Sequence, residues 1–441
     1  ELLSEPERRL FRRLAIFAGG WTAETALDVV DADGDLGIDI LDGLESLLDK
    51  SLIRTDAEVS TGVAHDGEAR FSMHVLLREF ASEHLDEAGE REALAARHAS
   101  VIRRLAEASG AEILTKLGET ALHRLDREQH NVRAAIDWSL RTGDTSLGLG
   151  IMAAAWRWWQ QRGRLREGRD LLGQLLDHPT AAADVRLRIA ALSADGGLAY
   201  WMEDWAGCIA RYEERLALAE GTGDPKEIAE ANYDLGFMGA IRNDPPMIRR
   251  YEELALDIFT RLDDRSGIER ARQAISLATF LEGDFEAARA VATANLAAFR
   301  ELGSQFQIAD SLTLFTALGW MHGEPDEAWT HLKEALSIFR DLDLASGLAR
   351  ALGMASILQL RYGDPELGAR IAGATEELHV TKNVMIAPVK VLHMPDGVEM
   401  TIEVFGAERA AELLAAGAAT PIARIVEDVM AAGIGVPAST A

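Results

Sequence analysis

A step of 40 residues repeats along most of this chain, and it limits the fold before any local reading does. Two-residue turn signals recur at Glu203-Asp204, Asn243-Asp244, Gly283-Asp284, Gly323-Glu324 and Gly363-Asp364, with Gly163 in phase one period earlier. Apolar residues keep the same step. Leu216, Leu256, Leu296 and Leu336 form one series; Phe259, Phe299 and Phe339 a second; Leu262, Leu302 and Leu342 a third. A fourth series, Ile228, Ile268, Ile308 and Leu348, marks the preceding helix of each unit.

Inside a unit the period is helical. Ala328, Leu332, Ala335, Leu336 and Phe339 fall at i, i+4, i+7, i+8 and i+11, which gathers them on one face. Each unit therefore holds two helices. Gly in the turn accepts the positive φ of a helix C-terminus, and the following Asp or Glu caps the next start. Pro325 and Pro365 take first-turn positions, where a missing N–H costs nothing. Small residues at Cys208, Ala288, Ala328 and Gly368 allow paired helices to approach closely. The spacing predicts helix pairs over 146–177, 184–220, 226–262, 266–302, 305–342 and 345–378.

This pattern resembles the tetratricopeptide family, in the 40-residue form of bacterial regulators. The family's Trp, Leu-Gly, Tyr and Pro consensus is only partly present, and armadillo-type repeats stay open as an alternative. No unit buries its apolar stripe alone, so stability comes from stacking into an α-solenoid, whose concave side is the expected binding surface.

Composition agrees and narrows the function classes. Only 11 prolines and 6% aromatic residues interrupt a chain rich in helix formers. With 45 basic against 72 acidic residues the net charge is −27, a field that repels nucleic acid and anionic membranes. Cys208 is the single cysteine and cannot form an internal disulfide, and no apolar run reaches membrane-spanning length, so a cytoplasmic setting is expected. The chain opens on Glu1 without a signal peptide, and a piece of something longer is expected.

Residues 1–90 do not carry the period. Ser4-Glu5-Pro6-Glu7 has the capping-box spacing and opens a helix through Leu10, Phe11, Leu14 and Phe17, which Gly19-Gly20 ends. Helices follow at about 22–31 and 38–50, then strands at Ser51–Thr55 and Ala69–Met73, then a helix from Val75 to about 87. Three helices with a hairpin is the layout of a winged helix.

The stretch Leu3-Ser4-Glu5-Pro6-Glu7-Arg8-Arg9-Leu10-Phe11-Arg12-Arg13-Leu14 through Trp21 resembles the start of the winged-helix domain in bacterial STAND-class ATPase regulators of the LuxR/MalT-like and AfsR-like type. So do Leu44 to Ile53, Phe71 to Ala81, and the block Asp126-Arg127-Glu128-Gln129-His130-Asn131-Val132-Arg133 through Trp138, which in that family joins the winged helix to the repeats. The resemblance implies a nucleotide-binding ATPase domain upstream, and in some members a cyclase or a helix-turn-helix DNA reader. This chain has no G-x-x-x-x-G-K-[ST] loop, so it lacks the cradle that triphosphate binding needs. In the family a Met-His-Asp motif sets its His against the β-phosphate of ADP. Here the triad reads Met73-His74-Val75, so His74 is the nucleotide-sensing candidate only beside such an ATPase domain, and a strand-end surface His otherwise.

Trp156, Arg157, Trp158 and Trp159, with Trp201 further on, are the ligand- or partner-binding candidates, since aromatic faces stack on ligands and anchor peptides. Packing between helices is the competing role, because 156 and 158 face different sides of a helix. Arg162, Arg164, Arg166 and Arg169 add a basic patch that either receives an anion or pairs with nearby carboxylates. There is no H-E-x-x-H, no Cys or His pair at metal spacing and no G-x-S-x-G, so neither catalysis, a metal nor a cofactor is expected.

From Val380 the helical pattern breaks. Val384–Val391 and Val398–Val404 read as the arms of a short β-hairpin about Pro395-Asp396-Gly397, before helices at 406–416 and 420–432 and a disordered tail after Gly433. The expected organisation is a winged helix over 1–90, a helical linker over 91–145, the repeat solenoid over 146–378 and a cap over 379–441. As the sensor module of a STAND-type regulator, it would bind a protein or small-molecule inducer in the groove and relay it through the winged helix. A free-standing scaffold for protein assembly is the alternative. A DNA-binding winged-helix factor is disfavoured, because residues 1–90 hold 8 basic against 21 acidic side chains.

Overall fold

The computed structural model describes residues 2–55, 69–113, 115, 117–342, 344–382 and 394–435. They fall into two compact units, one of residues 1–158 with 167–194 and one of 159–166 with 195–441.

The first unit begins with α1 (Glu5–Leu14). Ser4 and Glu7 each satisfy an amide left open at the helix start: the Ser4 N–H donates to the Glu7 carboxylate at 2.7 Å, and the Ser4 hydroxyl accepts from Glu7 N–H. Leu10, Phe11 and Leu14 then sink into a core shared with α2 (Ala23–Val30), α3 (Ile40–Asp49) and α4 (Val75–Glu87). The hairpin read from the sequence gains a third strand. β1 (Trp21–Thr22), β2 (Arg54–Thr55) and β3 (Arg70–Ser72) pair antiparallel in the order β1-β3-β2, with Trp21 opposite Phe71 and Arg54 opposite Ser72. Two residues are too few to show alternation in a sequence. Gly20 makes room for this strand, since a Cβ there would stand 2.7 Å from the Phe71 carbonyl.

The stretch expected as a helical linker folds as α5 (Arg91–Glu112), α6 (Gly118–Arg127) and α7 (Gln129–Thr142), and it is tied to the winged helix. The Asn131 side-chain oxygen accepts from Ala18 N–H at 3.0 Å and Gly19 N–H at 3.2 Å. Its amide nitrogen donates to the Gly20 carbonyl at 2.9 Å and to Glu128 at 2.5 Å. Glu128 pairs with buried Arg70, which also donates to the Gly20 carbonyl. The block Glu128 to Asn131 is thus a clamp on the turn after α1. Next come α8 (Thr145–Gln161), α9 (Leu165–Leu176) and α10 (Val185–Trp201).

The second unit stacks antiparallel helices: α11 (Trp205–Thr222), α12 (Pro225–Ile241), α13 (Pro245–Arg261), α14 (Arg265–Leu281), α15 (Phe285–Leu302), α16 (Gln305–His322), α17 (Pro325–Asp341), α18 (Ala345–Tyr362) and α19 (Pro365–Lys382). These match the predicted pairs. From α11 to α15 the punctuation is finer than the 40-residue step suggested, because both turns of a unit are built alike. Asp204, Asp224, Asp244, Asp264 and Asp284 cap successive helices with their carboxylates. The residue before each cap is left-handed: Glu203 (φ 56°), Gly223 (69°), Asn243 (54°), Asp263 (55°) and Gly283 (91°). Phe259, Phe299 and Phe339 are fully buried, as is Cys208 against Met238. Leu262 and Leu302, read as part of the apolar spine, are about two-fifths exposed at helix ends.

The second arm of the expected C-terminal hairpin is helical. Val398–Val404 lies in α20 (Gly397–Ala418), started by Asp396, whose carboxylate accepts from Val398 and Glu399 N–H. The β-branched alternation is misleading because Ile402 and Val404 are exposed, while Met400, Thr401 and Phe405 turn inward at helical spacing. The first arm, Val384–Val391, lies outside the described residues. Gly406 (φ 75°) kinks α20, and α21 (Ile422–Ala431) follows. Beyond α21, Trp329 and Gln359 donate to the carbonyls of Ala432 and Gly433, and within the tail expected to be disordered after Gly433, Gly435 N–H donates to the Tyr362 carbonyl. Residues 436–441 lie outside the described residues.

Candidate ligand groove

The first helices of successive repeats line a cavity of about 200 Å³ in the second unit. Tyr200 comes from α10, Tyr233 and Phe237 from α12, Arg270 and Leu277 from α14, Asp310 and Leu314 from α16, and Arg350 and Met354 from α18. A 40-residue step on stacked helices returns each side chain to the same place one helix further on. Glu230, Arg270, Asp310 and Arg350 obey that step and form a ladder of alternating charge. Arg270 binds Glu230 through both guanidinium nitrogens, at 2.6 and 3.2 Å, and Arg350 binds Asp310 at 2.7 Å. Arg270 also lies 4.7 Å from the centre of the Tyr233 ring. Burial works against its charge, but Glu230 holds its pKa above the ordinary value.

One carboxyl in the cavity wall stands outside this pairing. Glu252, on α13, has no exposed surface, and neither of its oxygens has a hydrogen-bond partner. It packs where Gly236 has no side chain, so that a Cβ there would come within 2.3 Å of its oxygen. Burial pushes its pKa well above the usual carboxylate range, reinforced by the charge on Asp234. Asp234 itself is raised to about 6 by burial, against the pull of Arg215 at 2.5 Å.

None of the candidates named from the sequence lines this cavity. Trp158 and Trp159 are each 1% exposed, and the Trp158 indole donates to Asp126 at 2.7 Å. Trp156 and Arg157 are half-buried and stacked on each other, the guanidinium 4.3 Å from the ring centre. Trp201 is half-buried, edge-on to Tyr200, which does line the cavity. His74 is exposed as the N-cap of α4, its Nδ1 accepting from Leu76 N–H at 3.3 Å. The ladder was available in the sequence as charges alternating in sign at the repeat step. Glu252 left no such mark, since an acidic residue in a helix ordinarily faces solvent.

In the first unit, α3 carries Asp42, Glu45 and Asp49 and no Lys or Arg within its bounds. Lys50, just beyond, is held by Glu7 at 2.6 Å. Among the described residues no group of His, Cys, Asp and Glu could hold a metal ion, and no helix is long and apolar enough to cross a membrane.

Residues 3–86 match the model of the winged helix-turn-helix domain family. The chain is 28% identical over 390 residues to the Mycobacterium tuberculosis protein named "Putative HTH-type transcriptional regulator Rv0890c"; the match covers 85% of this chain and 42% of the relative. A second M. tuberculosis protein, "Uncharacterized protein Rv0894", is 36% identical over 98 residues, 22% of this chain and 23% of its own. Among solved structures, a Signal Transduction ATPase with Numerous Domains protein with a tetratricopeptide repeat sensor, from Pyrococcus horikoshii, is 14% identical at a TM-score of 0.40, covering 86% of this chain and 63% of its own.

Proposed function

We propose that this chain is the winged-helix and sensor portion of a STAND-type signal-transduction or transcriptional regulator. In this reading the repeat groove binds a peptide or small-molecule inducer, and the winged helix passes that state to an ATPase domain or another effector. The chain does no catalysis of its own. The observation that carries the reading is the cavity built from five helices at one repeat step, with polar groups converging on an apolar floor of Phe237, Leu277, Leu314 and Met354. The named mycobacterial relative supports a regulatory setting, and this chain spans 42% of its length. Assignment to the LuxR/MalT-like or AfsR-like type belongs to the same proposal, as does a cytoplasmic location.

The test is a thermal-shift screen of metabolites and short peptides against the 441-residue chain and against Ala274→Trp, which fills the cavity from α14. A ligand that raises the midpoint of the parent chain and not of Ala274→Trp supports the groove. A ligand that acts equally on both places the binding site elsewhere.

A further inference from the structure

The cavity lining holds two carboxyls, Glu252 and Asp310, and two arginines, Arg270 and Arg350, and both arginines are committed, Arg270 to Glu230 just outside the lining and Arg350 to Asp310. Glu252 is the carboxyl left over, fully buried in the wall with no hydrogen-bond partner on either oxygen. A buried polar group without a partner costs about 1–3 kcal/mol, more when charged, so a site that keeps one is incomplete until something donates to it. The donor that fits best is a cation. Glu230, Tyr233 and Asp234 act on Glu252 from α12 and Arg270 from α14, and with the ion pairs closed Glu252 is the carboxyl of the lining not paired with an arginine. Tyr200, Tyr233 and Phe237 add ring faces, which attract a cation and exclude an anion. The rest of the lining is apolar, including Ile241, Ala274 and Leu277. The space holds roughly six waters' worth of volume, enough for a small group and not a folded segment.

We infer that the groove takes a ligand bearing a primary ammonium on an apolar stem, the ammonium seated on Glu252 and the stem against Phe237 and Leu277. This rests on the groove being the inducer site and adds the chemistry of what enters it. The same chemistry comes from a free amine or from the amino terminus of an apolar peptide.

The test uses calorimetric titration of the whole chain with phenethylamine and with Phe-Ala-Ala amide. The controls are phenylethanol, phenylacetate and the N-acetylated peptide. The expected result is that at least one amine binds about ten-fold or more tighter than its uncharged and anionic counterparts. Phenethylamine alone would assign a free amine, the peptide alone an amino terminus. Glu252→Gln, nearly the same shape without the charge, is expected to abolish that preference. Phe237→Ala, at a residue 38% exposed, is expected to weaken amine binding without unfolding the chain. Preference for the carboxylate, an amine preference that survives Glu252→Gln, or no binding of either amine overturns the inference. Ala274→Trp separates the two failures: if it blocks a ligand that lacks an ammonium, the groove reading stands and the charge assignment alone falls.

Discussion

Two buried titratable residues act in opposite senses on stability. Glu252 has a pKa raised in the folded state, so the folded chain holds a proton that the unfolded chain has released. Its contribution is fully present below about 4.5 and is lost as pH rises through the folded value. Glu252→Gln is expected to match the parent near pH 4.5 and to exceed it in urea midpoint at about pH 8; equal midpoints at both would contradict the assignment. His98 is the reverse. It is buried edge-on to Phe17, and burial depresses its pKa from 6.5 to about 4, so the unfolded chain binds the extra proton. Stability is lost as pH falls from 6.5 toward 4, on the order of 3 kcal/mol if burial is complete. His98→Gln should flatten the acid limb of the first unit's unfolding, followed by Trp21 fluorescence. Asn131 makes four bonds at the clamp, and Asn131→Ala should cost about 2–4 kcal/mol by leaving the turn amides of Ala18 and Gly19 unsatisfied, read as a lower urea midpoint.

At the scale of the element, helices α11 to α15 are each started by an aspartate side chain that follows a left-handed residue, and both are local devices. Asp264 accepts from Gly267 N–H at 3.0 Å, so Asp264→Ala should remove about 1 kcal/mol. Asn243 adopts φ 54° without being glycine, and Asn243→Gly should be neutral or gain a few tenths of a kcal/mol. Thermal midpoints of the two variants check both signs. Such devices explain why helix limits were legible in advance to within a few residues. Short elements were not: β1 has two residues, and its pairing with Phe71 depends on Gly20, 51 positions away along the chain from its partner's carbonyl. The stretch 398–404 misled for a related reason. Four β-branched residues in seven imitate a strand, yet the Asp396 cap and the inward Thr401 decide for helix.

For the whole molecule, charge decides which partners are reachable. The net charge is −27, and α3 of the winged helix is acidic along its length, so counterion release offers no gain on a duplex. No shift of a duplex is expected in a gel at about 0.05 M salt, where phosphate contacts are strongest. A salt-sensitive shift would reverse that reading.

The sequence by itself determined what is local or periodic. The 40-residue step, the caps, the left-handed turn residues and the apolar faces depend on neighbours within one or two helical turns, and their physics is the same wherever the helix sits. It therefore fixed the helix pairs and the winged-helix layout. Only the tertiary structure decided which side chains share a cavity. Trp158 and Trp159 are buried, while Tyr200, Arg270 and Arg350 meet from different helices. Glu252 lost its water and found no partner because α12 carries Gly236 opposite it. Burial of that kind is a property of stacked neighbours, and no pattern along one helix encodes it.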